Sequence, residues 1–335
     1  MKRISLLIVI CFSAFFASAQ QRNCGTMQHL EYLQGQDQQL ENRMIQNEIA
    51  LQSWIQNQTA AKSMNSAIIT IPVVVHVVWN TNSENISDAQ IQSQIDILNE
   101  DFRMLNADTT NIPSAFQSVA ADSEIEFCLA TTDPNGNSTT GITRTSTSQS
   151  SFSTNDNMKY SSSSGNGGID AWNTNDYLNI WVCDLGNSLL GYAQFPGGNS
   201  STDGVVCHYK YFGNIGTATS PFALGRTTTH EVGHYLNLYH IWGDSNCGND
   251  YCNDTPVHSG SNSGCPNYPS TSNCSGNGSN GDMFMNYMDY THDACMNMFS
   301  QDQKTRMIAA INTSRSELLT SNVCQGISNG CTDFT

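Results

Sequence analysis

The chain has 335 residues, with 29 acidic against 13 basic side chains and a formal net charge of −16. That length holds one large domain or two ordinary ones. The acidity argues against nucleic acid, whose binding rests on Lys and Arg neutralising phosphates, and suits a protein that holds cations; Asn, Ser, Thr and Gly are abundant, as is common in exported proteins.

Lys2 and Arg3 precede an apolar run from Ile4 to Phe16, followed by Ala17, Ser18 and Ala19. This is the order of a secretory signal peptide, with cleavage expected after Ala19. The run is too short to span a bilayer comfortably, and no later segment is apolar enough to cross one. The expected protein is therefore secreted, without stable membrane insertion. Cys11 would leave with the signal, so eleven of twelve cysteines remain. An oxidising compartment favours disulfides, and an odd count leaves at least one thiol unpaired or paired outside the chain.

Residues 27–60 are Gln-rich and read as helix, with Leu30, Leu33, Leu40, Met44, Ile45 and Ile49 as a loose apolar stripe. The small-residue break AAKSMNS follows. ITIPVVVHVVW (69–79) reads as a buried strand. Ser87 can cap the next element, where Ile91, Ile95, Leu98 and Phe102 recur at helical spacing. EIEFCLA reads as another strand, and the Ser/Thr/Gly/Asn stretch 132–168 mostly as a flexible loop. YLNIWVCDL, LLGYAQFP and GVVCHYKYF are further strand candidates, and a helix begins near Arg226. Residues 243–282 look loop-like, and a last helix runs from about Gln301 to Leu319. The pattern predicts an α/β domain of roughly 260 residues behind a removable N-terminal segment.

The densest chemistry is HEVGHYLNLYH, His230 to His240. Residues four apart share a helix face, so His230 and His234 can present two imidazoles to one metal. Neutral imidazole suits zinc, which in catalytic sites keeps a position open. Glu231 falls beside that face and can accept a proton without being a ligand. Six residues is far from a whole number of turns, so His240 joins only if the helix stops and the chain swings back. Asn237 supplies that stop, because Asn is the residue after Gly that most readily takes the left-handed conformation. His76 and His208 in strands, His29 in the leading segment, and His258 and His292 in loops read as ordinary structural histidines.

HExxHxxxxxH resembles the motif of the metzincin metallopeptidases, with Asn237 where their pattern usually has Gly. MFMNYMDYTHDACMNMFS (283–300) resembles the methionine turn of their pappalysin family, in its ulilysin-like branch. GITRT (141–145), GGIDAW (167–172), YLNIWVC (177–183), LLGYAQFP (189–196) and DGVV (203–206) extend the match over most of residues 68–310. The resemblance implies an α/β (α+β) metzincin domain: a twisted, mostly parallel sheet, an active-site helix and a loop-rich C-terminal subdomain. It implies an organisation of signal peptide (1–19), pro-segment with a cysteine switch (20–61), catalytic domain (62–320, divided at about 240) and tail (321–335).

The family further implies Met288 as the structural turn methionine and Tyr290 as the tyrosine facing the metal, either as oxyanion donor or as packing. It implies Asp293 at the base of the pocket just after the scissile bond, hence a preference for Arg or Lys there, weakened by His292 where relatives often keep another acid. Calcium is implied near the loops after the zinc motif, with Asp244, Asp250, Asp254 and Thr255 as candidate ligands, alongside disulfides Cys252–Cys274 and Cys265–Cys295. Cys247 competes with Cys252. RNCGT (22–26) resembles the cysteine switch, with Cys24 on zinc in the latent form; the alternative is a disulfide from Cys24 to Cys324 or Cys331. The expected protein is thus a monomeric, secreted zinc endopeptidase with protein or peptide substrates. An adhesion protein with a vestigial site and a hydrolase of cell-wall amides are the rival readings.

Overall fold

The computed structural model describes residues 21–61, 67–161 and 167–324. The expected signal peptide, the junction 62–66 between the expected pro-segment and catalytic domain, and the tail beyond 324 lie outside these. ITIPVVVHVVW forms β1 (Ile69–Trp79), followed by β2 (Ile125–Leu129), β3 (Ile142–Ser146), β4 (Leu178–Cys183), β5 (Gly191–Ala193) and β6 (Val205–His208). The sheet order is β2–β1–β4–β6–β5. One edge of β1 pairs with β2 from Ile69 and then with β3 from Val75, the other with β4; these pairs and β4–β6 are parallel. Among the described strands only β5, on the edge, runs antiparallel, against β6. β1 and β4 are near-continuous apolar runs because both faces of a parallel sheet are covered.

The helices are α1 (Thr26–Gln36), α2 (Leu40–Ala61), α3 (Asp88–Phe102), α4 (Arg226–Tyr235) and α5 (Gln301–Thr313). Ser87 caps α3 by accepting from Gln90 N, and Ile91, Ile95, Leu98 and Phe102 enter the main core with β1 and Phe127. Ser300 and Gln303 form a capping box on α5.

Three expectations need correction. The stretch 132–168 contains β3, a strand without an apolar run, whose backbone pairing with the second half of β1 replaces that signal. The leading helix is two helices. They break at Asp37, whose carboxylate accepts from Gln39 N at 2.9 Å and Arg43 Nη2 at 2.5 Å, and the stripe is misplaced, since Ile45 and Ile49 are exposed. Leu51, Trp54 and Ile55 instead meet Ala309 and Ala310 of α5.

The third correction is covalent. Among the described residues the bridges are Cys128–Cys324, Cys247–Cys274 and Cys265–Cys295. Cys252–Cys274 is not formed, and Cys252 is a buried free thiol. The left-handed turn at Cys247 and its amide bond to His258 O at 3.1 Å swing Cys247 toward the loop that carries Cys274. Cys252 instead lies among Asp250, Arg306 and Asp254. Digestion under non-reducing conditions should yield a Cys247–Cys274 peptide pair, with Cys252 alkylated only after denaturation, because burial pushes its thiol well up. Recovery of Cys252 joined to Cys274 would contradict this structure.

Candidate active site

Gly225, at φ 75°, opens α4. The helix closes at Asn237, whose φ is 69°. Leu238 N bonds Gly233 O and Asn237 N bonds His234 O, each at 2.9 Å, the reciprocal pair of a Schellman stop. The reversal aims Leu238 O at His234 Nδ1, 2.7 Å away. His230 Nδ1 faces Tyr287 O at 2.7 Å, and His240 Nδ1 bonds Asp244. Each Nδ1 therefore meets an acceptor, which fixes the proton there and leaves Nε2 with its lone pair. The three Nε2 atoms then face one another, His234 lying 3.2 Å from His230 and 3.1 Å from His240. Acceptors gathered this closely fit a cation between them, and neutral imidazoles fit zinc. Burial holds the protonated forms of His230 and His234 well below the usual range, and the neighbouring imidazoles add to this.

Cys24 Sγ completes the set: its sulfur and the three histidine nitrogens lie within 4.8 Å of one another. Residues 23–26 reach this position as an added strand on β5. Leu190 N bonds Asn23 O at 2.9 Å, Gly25 N bonds Gly191 O at 2.8 Å, and Ala193 N bonds Thr26 Oγ1 at 2.9 Å. Glu231 Oε2 accepts from Thr26 Oγ1 at 3.0 Å and lies 3.4 Å from Cys24 Sγ. Burial pushes the Glu231 carboxyl up to about 7. Gly191 is required beside it, since a Cβ there would meet Glu231 Cγ at 2.9 Å.

Tyr290 turns its hydroxyl toward Cys24 O at 3.5 Å, with its ring centroid 5.0 Å from that of His240. Met288 lies under α4: a Cβ at Gly233 would come within 2.5 Å of its sulfur. Asp293 is fully buried and receives Arg22 of the leading segment. Its Oδ1 accepts from Arg22 Nη2 at 2.5 Å and its Oδ2 from Leu224 N at 2.9 Å. Arg22 also donates to Thr291 O and Thr227 Oγ1, with its guanidinium 4.9 Å from the Phe222 ring. The pocket is thus shaped around a guanidinium.

The candidate calcium residues are bonded within the protein. Asp254 accepts from Ser300 Oγ and Asp302 N, Thr255 Oγ1 donates to Asp250, and Asp244 holds His240. His76 bridges Thr143 and Asn179 inside the sheet, while His258 accepts from Met283 N.

Sequence reasoning missed several supports. Asp101 on α3 accepts from Arg226 Nε at 3.1 Å, Thr229 Oγ1 at 2.7 Å and the Tyr287 hydroxyl at 2.9 Å, tying α3, α4 and the methionine turn together. Asp156 accepts from His29 Nε2 at 2.8 Å and pairs with Lys159 at 2.8 Å, beside a cavity of about 440 Å³ between α1–α2 and the domain. Arg306 holds Glu48 of α2. Apart from Asp156 with Lys159, three residues on, these pairs join residues more than 100 apart and leave no spacing signal.

The family described as Pregnancy-associated plasma protein-A, peptidase family M43, matches residues 163–312. An extracellular metalloprotease of Arthroderma otae is 32% identical over 256 residues, covering 75% of this chain and 80% of that protein. Among solved structures, a promirolysin mutant of Tannerella forsythia is 51% identical with a TM-score of 0.78, covering 89% of this chain and 97% of that one. Mature mirolysin of the same organism, in complex with a cleaved peptide, is 57% identical with a TM-score of 0.73, covering 76% and 96%. The fold and the likeness define a metalloendopeptidase of the metzincin type. The chain belongs to peptidase family M43, the pappalysins, and membership implies zinc.

Asn237→Gly should shift unfolding stability by less than about 1 kcal/mol. Asn237→Val should lose about 1–2 kcal/mol, because a β-branched residue is strained at positive φ. Urea unfolding of the two variants checks this, and equal stabilities would remove the left-handed requirement.

Proposed function

We propose that this chain is a secreted zinc endopeptidase made as a latent proenzyme. Residues 20–61 are the pro-segment, and 62–320 the catalytic domain. The supporting observation is Cys24, buried with its sulfur and the three histidine nitrogens within 4.8 Å of one another, and delivered by a segment that adds to an edge strand. His230, His234 and His240 hold the metal in this reading. Cys24 is the fourth ligand of the latent form, where a coordinated thiol is deprotonated despite its burial. Export is supported by relatives named extracellular metalloproteases. Calcium in the loops after the zinc motif remains part of the proposal on family likeness alone.

Bound zinc supplies a Lewis acid that lowers the pKa of water and polarises a carbonyl. The chain's own residues do the rest. Once residues 23–26 leave, β5 offers its free backbone groups to an extended peptide, which adds as a strand. Glu231 takes the proton of the attacking water and hands it to the leaving amine. The Tyr290 hydroxyl donates to the carbonyl oxygen as charge develops there. Asp293 receives a basic side chain just after the scissile bond, as it receives Arg22 in the latent form, through a charge-assisted contact. The edge strand favours peptide over cell-wall amides as substrate.

Glu231→Ala should keep its zinc and lose at least about 100-fold in peptide hydrolysis. Metal analysis beside a fluorogenic assay reads both, and near-normal activity would end the role of Glu231 as base. The full-length Glu231→Ala form, unable to process itself, should protect Cys24 from alkylation only while zinc is bound. Equal labelling before and after chelation, or a disulfide at Cys24, removes the switch. Asp293→Ala should flatten the preference for Arg and Lys after the scissile bond in peptide-library profiling, and unchanged selectivity would place the determinant elsewhere.

A further inference from the structure

Arg306 on α5 is a buried cation whose carboxylate partner comes from the segment that maturation removes. Its side chain is 2% exposed and meets both oxygens of Glu48 on α2, Nη1 to Oε1 at 2.9 Å and Nη2 to Oε2 at 3.0 Å. Nη2 also donates to Asn237 O at 3.3 Å, and Asn237 Nδ2 lies 3.4 Å from Glu48 Oε2. Nε is buried with no hydrogen-bond partner among the described residues. The acids nearby are bonded elsewhere: Asp250 to Cys252 N and Thr255 Oγ1, Asp254 to Ser300 Oγ and Asp302 N, and Asp302 to Asn253 N.

Removing one partner of a buried pair leaves an uncompensated charge, which is far costlier than losing the pair as a whole. Excision of α2 therefore uncovers a guanidinium shaped for a bidentate carboxylate, with Asn237 O as its remaining acceptor. Its place relative to the cleft follows from the course of the pro-segment. Arg22 lies on Asp293, Asn23 and Gly25 meet Leu190 and Gly191, Thr26 meets Ala193, and Arg43 Nε donates to Gly197 O at 2.7 Å. The segment thus runs along β5 from the Asp293 end to the far end. There Phe195 meets His234 and Tyr239, and Glu48 closes over Arg306 and Asn237.

We propose that in the mature enzyme Arg306 is a carboxylate-binding subsite, receiving an Asp or Glu side chain of the substrate on the amino-terminal side of the scissile bond. Glu48 holds that place in the proenzyme. The inference rests on the proteolytic reading above, with Asp293 just after the scissile bond, and adds a second charged determinant at the opposite end of the cleft.

The test uses mature wild-type enzyme and peptides sharing one cleavage site with Arg after the scissile bond. Glu and Gln are exchanged one position at a time through the preceding segment. At one or two adjacent positions Glu should raise kcat/KM about 5- to 30-fold over Gln, through KM rather than kcat, with an advantage that shrinks as salt screens the pair. Arg306→Gln should abolish the advantage and Arg306→Lys retain part of it. The wild-type comparison stands alone if either variant fails to fold. Cleavage with equal kcat/KM for Glu and Gln at every position overturns the subsite and leaves the protease reading intact. A Glu advantage that survives in Arg306→Gln overturns it as well, while failure to cleave any peptide ends both readings. Replacing the Arg after the bond by Gln reports separately on Asp293.

Discussion

One backbone sign governs the site. With φ at 69°, Asn237 ends α4 and sends the chain back, so that His240 faces His230 and His234. The same reversal brings Leu238 O to His234 Nδ1, so one turn both positions a ligand candidate and sets the tautomer of another. Closing the helix and orienting the imidazole are a single event, coupled through two residues of loop. Because burial and mutual repulsion keep His230 and His234 neutral, protons compete weakly with a metal for their nitrogens.

The turn needs a rigid base, which comes from groups distant in sequence. Asp101 ties Arg226 and Thr229 at the start of α4 to Tyr287 in the methionine turn, so α3 fixes where both elements stand. Burial pushes this carboxyl up to about 6 while Arg226 opposes the shift. The hydroxyls of Thr229 and Tyr287 help Arg226 to favour the charged form against that burial. Met288 fills the space that Gly233 leaves open, so the glycine inside HEVGH is explained by packing beneath the helix.

What the sequence made legible was local. Helical periodicity predicted α3, Val and Ile density predicted β1 and β4, and the spacing of His230 and His234 with the Asn237 turn predicted the convergence. Features set by pairing across the chain were not legible. β3 carries no apolar run, and only β1 makes it a strand. The choice between Cys247 and Cys252 turns on left-handed backbone at Asp244, Cys247 and Tyr251, none of them a residue whose type demands it. Asp101 finds Arg226 125 residues away, Asp156 finds His29 127 away and Arg306 finds Glu48 258 away, where no spacing rule reaches.

In the proposed proenzyme, latency is then distributed along a whole cleft. Arg22 on Asp293, Cys24 at the imidazoles, Thr26 on Glu231, His29 on Asp156 and Glu48 on Arg306 each match a group of the catalytic domain. None needs to be strong alone, because tethering makes each contact intramolecular at a high effective concentration. The contacts also fail together. Once the linker is cut, every one becomes bimolecular, and two helices that bury little apolar surface of their own have few means of holding on. A clasp of many modest contacts on one tether is therefore both firm before cleavage and easily lost after it, which a single very tight ligand could not be.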